Sequence, residues 1–363
     1  MKIGILGGGQ LGRMIALASY PLGIETRLFD PAADSCGGQV TQLHVGHYDD
    51  LEALKRFADG LDAITYEFEN VPVDAAILLA QYAPVFPPPT SLEAAQDRLI
   101  EKRFFREQGV PTADFVPVDG AEDLRLFAAQ VGLPLVLKTR RLGYDGKGQV
   151  IVRADAEIEP ACLELGGANL IAEAFVPFDR EVSILAVRGR NSATAFYPLV
   201  ENQHRDGILR ISRAPAPDTS DLQAQAERYA NDVLQALDYV GVLAIEFFVN
   251  DGRLLANEMA PRVHNSGHWT IEGAETSQFE NHARAVAGLP LGSTAPRGAS
   301  IMLNLIGTTP ATSEILAITS AHIHLYGKAP RPGRKLGHVT LRGENFATLS
   351  PRFEALRSLI GDL

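Results

Sequence analysis

A glycine-rich turn between an apolar strand and a helix is the feature that most restricts the fold of this chain. Residues 2–6 predict a buried strand, Gly7-Gly8-Gly9-Gln10-Leu11-Gly12 follows, and residues 13–20 predict a helix. The next predicted strand, residues 25–30, ends on Asp30. Such glycines let a phosphate approach a helix N-terminus, and the acid is typical of dinucleotide sites. The pattern is equally compatible with a tight turn that binds nothing, or with a site for one phosphate of another substrate.

Strands and helices alternate through the N-terminal region, with a further helix at 50–58 and a strand at 63–67, which favours an open parallel sheet. Pro84 and Pro87-Pro88-Pro89 interrupt regular structure and mark a boundary. Beyond it we expect one charged helix over 91–108. We expect hairpins at residues 134–153 and 242–260 and an amphipathic helix at 220–237. A tail of short strands and turns is expected from about residue 296.

Charge and cysteine content exclude several classes of protein. The 33 Lys and Arg and 44 Asp and Glu give a net charge of −11, so the overall field repels DNA and acidic membranes. Cys36 and Cys162 have no metal-ligand pattern around them, which predicts free thiols in a reducing compartment. No run approaches the roughly 18 apolar residues of a membrane span, and the first apolar run is too short for a signal peptide. We therefore expect a cytoplasmic protein of two or three domains, with local basic sites for small anions.

A lysine at a strand end and the loop after it form the first of two strong signals. Lys138 ends Leu135-Val136-Leu137-Lys138, and Gly143-Tyr144-Asp145-Gly146-Lys147-Gly148-Gln149 follows. Residues 138–153 contain five bases and one acid. The glycines free backbone N–H groups to surround anions, so the segment suits a polyphosphate. Taken alone, it is equally compatible with an exposed basic hairpin tip.

A glutamate inside an apolar strand is the second signal. Glu246 interrupts residues 242–249, and Glu258 lies on the next predicted strand, after a turn at Asp251-Gly252. A two-residue turn would pair Glu246 with Asn257 and point Glu258 into the apolar face. A three-residue loop would pair the two glutamates directly, and we expect this register because it buries fewer charges. A divalent cation such as Mg²⁺ would then join the carboxylates to substrate phosphates. The alternative is that Glu246 pairs with an arginine.

Together these signals point to Mg-ATP, in a protein that has neither a P-loop motif nor the protein kinase motifs. The arrangement resembles the ATP-grasp superfamily and, within it, the N5-carboxyaminoimidazole ribonucleotide synthetase family of purine biosynthesis. Five segments carry the resemblance: residues 4–14, 65–72, Lys138 with 143–149, 257–268, and 326–328 with 331–338.

The resemblance implies an α/β fold of ATP-grasp architecture, with an N-terminal open parallel-sheet (Rossmann-like) domain and a small C-terminal β-rich domain. The implied boundaries are 1–90 for a substrate-binding domain, 91–295 for the ATP-grasp domain with a mobile lid at about 112–175, and 296–363. The implied reaction uses ATP, Mg²⁺ and bicarbonate to carboxylate the exocyclic amine of 5-aminoimidazole ribonucleotide through carboxyphosphate, and releases ADP and phosphate. A homodimer is implied, without nucleic acid or membrane partners.

The resemblance also assigns residue roles. The phosphates of ATP would be bound by Arg98, Lys138 and loop 143–149. The adenine edge would be bound by Glu173, Ala174, Phe175 and Val176. The ribose would be bound by Glu181, with His204 nearby. Mg²⁺ would be bound by Glu246 and Glu258, with Asn257 nearby. The groups facing bicarbonate would be Tyr144, Arg262, His264, Asn265 and Ser266, while Asp145 faces the amine. The ribonucleotide would be held by Gly9, Gln10, Leu11, Glu67, Lys328, Arg331, Arg334 and Lys335, of which Lys328 is also expected to be catalytic.

Three other functions remain open at this point. One is another ATP-grasp ligase with a different acyl phosphate, such as a formate-dependent nucleotide transformylase. A second is an NAD-dependent dehydrogenase built on the glycine turn, which would leave both glutamates unexplained. The third is a nucleotide-binding module without turnover. The bicarbonate interpretation rests mainly on residues 259–268 and on residues 328–338. The second of these segments lies in a stretch that contains no acidic residue between Glu314 and Glu344.

Overall fold

Four parallel strands form the N-terminal sheet, as the alternating pattern predicts. The computed structural model describes residues 1–143 and 146–361. The sheet has the order β3-β2-β1-β4, where β1 is Lys2–Leu6, β2 Glu25–Asp30, β3 Gln42–Val45 and β4 Ala63–Tyr66. The helices of this region are α1 (Gln10–Ser19), α2 (Leu51–Ala58) and α3 (Val73–Leu79). Apolar side chains such as Leu6, Phe29 and Phe57 pack together in one buried cluster, so the glycine turn is held at the C-terminal edge of a rigid sheet.

The single helix expected over 91–108 is wrong, because two helices occupy this segment. They are α4 (Pro89–Ala95) and α5 (Arg98–Glu107). Asp97 has an extended backbone between them, and its carboxylate accepts hydrogen bonds from the N–H groups of Leu99 and Ile100. An aspartate that satisfies the first free amides of a helix is a strong N-cap, and it starts a new helix rather than continuing the previous one.

A small antiparallel sheet follows and includes the predicted hairpin. Its order is β5-β8-β6-β7, where β5 is Phe115–Val118, β6 Leu135–Thr139, β7 Gln149–Val152 and β8 Leu170–Ala174. Helices α6 (Ala121–Val131) and α7 (Ile158–Glu164) pack on it through a separate apolar cluster that includes Leu124, Phe127 and Ile158. Lys138 lies near the end of β6, opposite Gln149, so the two strands hold both ends of the glycine-rich loop.

A nine-stranded sheet forms the largest layer. Its order is β14-β13-β9-β11-β12-β15-β17-β16, with β10 beside β9. The strands are β9 (Arg180–Arg188), β10 (Thr194–Phe196), β11 (Val200–Arg205), β12 (Ile208–Ala214), β13 (Gly241–Asn250), β14 (Arg253–Ala260), β15 (Ala299–Ile306), β16 (Ala321–Leu325) and β17 (Lys335–Gly343). The helices are α8 (Ser220–Ala236), α9 (Thr270–Gly273), α10 (Gln278–Ala287), α11 (Thr312–Leu316) and α12 (Phe346–Ile360).

The C-terminal strands continue this sheet instead of forming a separate one, because β15 pairs with β12 through Ile211 and Leu303. The tail was expected to hold only short strands and turns, and that expectation is wrong for α12. This helix contains Pro351 in its first half. Because proline usually interrupts a helix, the sequence pattern did not predict one here. Asn345 caps it by accepting from the Thr348 N–H.

The hairpin of β13 and β14 pairs Glu246 with Glu258, as predicted, but not through a three-residue loop. Asp251 and Gly252 form a two-residue turn with φ values of 47° and 71°, and Asn250 pairs with Arg253 beside it. Two such left-handed residues are typical of the tight turns that match strand twist. A bulge then shifts the register between Glu246 and Phe247. The extra residue of β14 therefore brings Glu258 opposite Glu246, an effect that was expected from a longer loop.

Both cysteines are buried free thiols. Within the described ranges, none of the helices combines the length and the apolar character needed to cross a bilayer.

Candidate active site

A cavity of about 590 Å³ lies where the three sheets meet. Most residues with predicted roles line it: Gln10, Leu11, Glu67, Arg98, Lys138, Gly143, Gly146, Gln149, Glu173, Ala174, Phe175, Val176, Glu181, His204, Glu246, Asn257, Glu258, Arg262, His264, Asn265 and Lys335. Seven others with predicted roles are not among the lining residues, namely Gly9, Lys147, Gly148, Ser266, Lys328, Arg331 and Arg334. Tyr144 and Asp145, expected beside bicarbonate and the amine, lie outside the described residues.

Part of the cavity wall is a flat apolar surface, which is called the slot below. The rings of Phe178 and Phe248 stack with centroids 4.7 Å apart and an interplanar angle of 12°, and both rings line the cavity. Val136 and Ile151, from the small sheet, line it as well. Strand β8 ends at Ala174, so residues 175–176 leave the ladder and run beside this slot. A planar, apolar-faced group such as a nucleobase fits this arrangement.

Two lysines converge on Glu173 beside the slot. The Lys138 Nζ lies 3.0 Å from Glu173 Oε1, and the Lys102 Nζ lies 3.2 Å from Glu173 Oε2. Burial raises the pKa of Glu173, but the charges of the two lysines outweigh it and hold the pKa at about 2. Glu173 thus fixes Lys138 at the cavity wall. Sequence reasoning missed Lys102, although it follows Arg98 by one turn of α5 and so lies on the same helix face.

Arg98 connects α5 to the glycine-rich loop. Its guanidinium donates to the carbonyl oxygens of Thr139 and Gly143, at 3.0 and 3.2 Å. A Cβ at Gly143 would collide with the Arg98 guanidinium. A side chain at this position would displace the guanidinium from the two carbonyl oxygens, so glycine preserves the contact that holds the start of the loop at the cavity edge.

The paired glutamates present oxygen donors to the same cavity. Glu246 and Glu258 face each other on β13 and β14, and Asn257 Oδ1 is buried without a hydrogen-bond partner among the described residues. The His264 Nε2 lies 3.1 Å from Glu246 Oε1, so Glu246 pairs with a histidine and not with the arginine of the alternative interpretation. Burial raises the pKa of Glu246, but the His264 hydrogen bond and nearby positive charges lower it to about 2.

A bound cation would take its ligands from these few oxygens and from a bound substrate. No group of three or more His, Cys, Asp or Glu side chains in the described part of the chain could hold a metal alone. Two carboxylates and an unsatisfied amide oxygen nevertheless match the hard donors that Mg²⁺ prefers, with phosphate oxygens completing its coordination.

Glu101 is another buried carboxylate that sequence reasoning missed. It lines the cavity, and its Oε1 accepts from the Met259 N–H at 2.6 Å. Burial, followed by the charge of Glu258, raises the pKa of Glu101 to about 8. Glu101 therefore anchors β14 next to Glu258.

Glu181 and His204, which are expected near the ribose, form a hydrogen-bonded pair. His204 Nδ1 lies 2.6 Å from Glu181 Oε2, and both side chains line the cavity. Burial lowers the pKa of His204, but the Glu181 hydrogen bond and the charges of Glu246 and Glu258 outweigh burial, and the pKa is raised. The pair thus offers a carboxylate oriented by a neighbouring ring.

The turn after β14 holds the residues expected to face bicarbonate. The Arg262 Nε donates to Glu69, which comes from the N-terminal region. The Asn265 and Asn304 side chains donate to each other, at 2.8 and 3.0 Å. Ser266 lies fully buried below the surface of the cavity, and its Oγ is 2.9 Å from His264 Nδ1. This turn is therefore rigid and bears a cation, an imidazole and an amide on its cavity face.

The glycine turn is filled by the protein's own carboxylates. Glu67 accepts from the N–H groups of Gly9 and Gly12, and Asp30 accepts from the Gly8 N–H at 2.7 Å. The amides that a dinucleotide phosphate would need are thus already bonded, and both carboxylate oxygens of Asp30 accept from backbone N–H groups, of Gly8 and Ala32. The dehydrogenase alternative therefore loses the contacts on which it depended.

Lys328 joins the basic C-terminal segment to the glycine turn. The Lys328 Nζ donates to Gln10 Oε1 at 2.5 Å, and Gln10 lines the cavity together with Lys335. Arg331 is exposed, and Arg334 donates to the Ala329 carbonyl oxygen at 3.1 Å. Of this basic set, Lys328 and Lys335 thus lie closest to the described cavity.

Comparisons with known proteins agree with this architecture. Residues 1–96 match the ribonucleotide synthetase preATP-grasp domain family, 103–279 the ATP-grasp domain family, and 300–352 the phosphoribosylaminoimidazole carboxylase C-terminal domain family. The N5-carboxyaminoimidazole ribonucleotide synthase of Pseudomonas aeruginosa is 54% identical over 360 residues, which cover 99% of each chain.

Two solved structures are similar over nearly the whole chain. The crystal structure of N5-carboxyaminoimidazole ribonucleotide synthetase from Thermus thermophilus has a TM-score of 0.96 at 60% identity and covers 99% of both chains. The Aspergillus clavatus N5-carboxyaminoimidazole synthase, crystallised with ADP and 5-aminoimidazole ribonucleotide, has a TM-score of 0.90 at 32% identity and covers 98% of both chains. By full-length similarity, matched domains and shared architecture, this chain is an ATP-grasp ligase and belongs to the N5-carboxyaminoimidazole ribonucleotide synthase family.

Proposed function

We propose that this protein carboxylates the exocyclic amine of 5-aminoimidazole ribonucleotide, using ATP and bicarbonate, in purine biosynthesis. The observation that carries the proposal is the convergence of three groups on one cavity: the facing glutamates, Lys138, and the turn with Arg262, His264 and Asn265. An acyl phosphate made from bicarbonate requires a phosphate-binding end, a small-anion pocket and an acceptor site within one enclosure.

ATP would lie with its base in the slot of Phe178 and Phe248 and its ribose near Glu181. Lys138, already fixed by Glu173, would neutralise phosphate charge, and loop 143–149 would close over the phosphates. Arg98 would act at the start of this loop, where it already binds the Gly143 carbonyl. Preorganised cations of this kind stabilise charge that develops during phosphoryl transfer.

Glu246 and Glu258 would hold Mg²⁺, with the unpaired Asn257 oxygen as a further donor. Bound there, Mg²⁺ would neutralise phosphate charge as a Lewis acid. Within the protein, His264 keeps Glu246 oriented and Glu101 anchors β14, so both carboxylates keep their positions before the cation arrives.

The proposed reaction has two stages. An oxygen of bicarbonate attacks the γ-phosphorus of ATP, and the bond to the bridging oxygen breaks as ADP leaves. Carboxyphosphate then loses phosphate and gives CO₂, and the amine nitrogen bonds to that carbon and releases one proton. Arg262 and Asn265 would hold bicarbonate, His264 would act beside them by orienting Glu246, and Tyr144 and Asp145 are proposed to contact bicarbonate and the amine. Exclusion of water protects the acyl phosphate in this enclosure.

The ribonucleotide would bind between the glycine turn and the basic C-terminal segment. Gln10 and Leu11 line the cavity, and Lys328 reaches Gln10 from the C-terminal strands. Arg331, Arg334 and Lys335 would supply further positive charge for its phosphate. Glu67 would act here by holding the amides of the glycine turn in place.

We further propose three functional regions, residues 1–90, 91–295 and 296–363, with a lid at about 112–175 that closes over ATP. We also propose a cytoplasmic homodimer, as the family resemblance implies.

The decisive experiment measures ADP release with Mg-ATP and 5-aminoimidazole ribonucleotide, in buffer purged of CO₂, with added bicarbonate or added formate. We expect release that requires bicarbonate and is stimulated by the ribonucleotide. Release that required formate instead would establish a transformylase. Nucleotide binding without release under either condition would leave only a binding module.

A further inference from the structure

A row of buried polar side chains crosses the nine-stranded sheet below the active site. In register, Glu246 of β13 pairs with Ser183 of β9, and Asn202 of β11 pairs with Ser212 of β12. Ser183 and Ser212 are 0% exposed and Asn202 is 4% exposed. Polar groups so deep in an apolar sheet are costly to bury unless they are hydrogen-bonded. Their partners therefore indicate what this row does.

The row is a continuous chain of hydrogen bonds that leads to the turn after β14. Ser212 Oγ donates to Asn202 Oδ1 at 2.8 Å, and Asn202 Nδ2 donates to Ser183 Oγ at 2.9 Å. Ser183 Oγ donates to Ser266 Oγ at 2.8 Å. Each hydroxyl has a single proton to donate. Asn202 accepts on one side and donates on the other, so the three hydrogen bonds run in one direction, from Ser212 to Ser266.

The chain ends on the imidazole of His264. Ser266 accepts from Ser183, and its own proton is free to donate to His264 Nδ1, 2.9 Å away. The Ser266 backbone N–H points to the same nitrogen at 3.3 Å. A ring nitrogen that accepts from two donors carries no proton, so the ring proton lies on Nε2. That nitrogen faces Glu246 Oε1 at 3.1 Å.

The backbone of His264 is fixed separately. Gln278, 0% exposed on α10, accepts from the His264 N–H at 2.9 Å and donates to the His264 carbonyl oxygen at 2.6 Å. A Cβ at Gly267 would lie 2.6 Å from the Gln278 Cδ, so the turn can approach this carboxamide only with glycine there. Gln278 thus fixes the backbone of His264, and the hydrogen bonds that run through the serines and Asn202 orient its ring.

We propose that Ser183 and Asn202 are positioning residues for the reaction: through Ser266 they hold His264 as the Nε2–H tautomer, which donates to Glu246 and orients that carboxylate toward the cavity. Neighbours of this kind commonly set both the tautomer and the orientation of groups at metal and phosphate sites. The effect on turnover rests on the proposed function, whereas the tautomer is a property of the protein without substrate or metal.

The first test observes the tautomer directly. In protein labelled with ¹⁵N-histidine and free of metal and nucleotide, long-range ¹H–¹⁵N correlation distinguishes protonated from unprotonated ring nitrogens, and His264→Asn identifies the signal of His264. We expect protonated Nε2 in the wild type. Ser183→Ala removes the donor to Ser266. Asn202→Asp keeps the oxygen that Ser212 uses but replaces the donor with an acceptor, so the direction of the chain can reverse. Both variants should gain the Nδ1–H form.

The matched control is Ser300→Ala. Ser300 is equally buried on β15 of the same sheet, but its Oγ has no hydrogen-bond partner among the described residues. This variant should keep the wild-type spectrum and kinetics. In Ser183→Ala and Asn202→Asp we expect kcat/KM for Mg-ATP to fall about tenfold, because Glu246 loses the donor that orients it, and this is the size expected for one lost hydrogen bond.

Protonated Nδ1 in the wild type, or a Ser183→Ala variant with the spectrum and kinetics of Ser300→Ala, would overturn the proposal. If Asn202→Asp fails to fold, Ser183→Ala decides alone, because it removes one oxygen atom and leaves every strand intact. Wild-type protein without bicarbonate-dependent ADP release would refute the proposed function, while the spectrum would still decide the tautomer.

Discussion

The Lys138 Nζ lies 3.0 Å from Glu173 Oε1, so the lysine expected to contact ATP phosphates is held by a carboxylate of the adjacent strand. Glu173 lies on β8 opposite Val136 of β6, and Val136 precedes Lys138 by two residues on the same strand. Its other oxygen binds Lys102. The phosphate-binding lysine is therefore oriented before nucleotide arrives, which lowers the cost of ordering it on binding.

Glu173→Gln should destabilise the protein by about 3 kcal/mol at neutral pH, because it leaves two buried lysines without their counter-charge. The folded-state pKa of Glu173, about 2, lies below its ordinary value of 4.5. Its stabilisation is therefore fully present above about pH 4.5 and is lost as the pH falls towards about 2. Chemical unfolding at several pH values should show a shallower acid dependence in the variant. The exposed Glu122→Gln, beside Arg125, is the control and should change stability by less than about 0.5 kcal/mol.

Glu246→Gln and Glu258→Gln should each reduce ADP release at least about 100-fold, since each removes one of the two proposed carboxylate ligands of Mg²⁺. Calorimetry should show that ADP still binds without Mg²⁺ but that added Mg²⁺ no longer strengthens binding. Asp251→Asn, at the exposed tip of the same hairpin, should behave as the wild type. Full activity in both glutamine variants would exclude this metal site.

Glu67→Gln should cost about 2 kcal/mol of stability, because a neutral amide replaces the carboxylate that accepts from Gly9 and Gly12. Thermal unfolding measures the loss. Glu25→Gln, which removes an exposed ion pair with Lys2, is the matched control and should have almost no effect. Equal stability of the two variants would mean that the glycine turn does not depend on Glu67.

Lys328→Met should raise KM for 5-aminoimidazole ribonucleotide at least about tenfold, because it removes the cation that joins the C-terminal segment to Gln10. KM for ATP should stay within about twofold. Steady-state ADP release with each substrate varied in turn separates the two effects. Lys55→Met, which removes an exposed lysine paired with Glu52, should leave both values unchanged. A parallel rise in both KM values would argue against a role confined to the ribonucleotide.

Local patterns were sufficient for much of the fold. The alternation of strands and helices predicted the parallel sheet, and a charged residue inside an apolar run identified Glu246 and its partner strand. The pairing with Glu258 is confirmed, but a bulge produces it beside a two-residue turn. Turn length and bulge position have the same effect on the register of distant residues, so the sequence pattern could not distinguish them.

Contacts between distant segments needed the tertiary structure. Glu69 meets Arg262, Glu101 meets Met259, and Lys102 meets Glu173, and each pair joins segments far apart in the chain. The same holds for the glycine turn, whose motif suggested a phosphate site until the folded chain placed Glu67 and Asp30 on its amides.

The sequence by itself thus determined which chemical groups are present and which strands carry them, because periodicity and turn residues act over a few neighbouring positions. Only the tertiary structure decided which carboxylate meets which cation, and which way the hydrogen bonds run from Ser212 to His264. Those choices depend on side chains brought together from different strands, where burial makes an unpaired polar group costly and so fixes its partner.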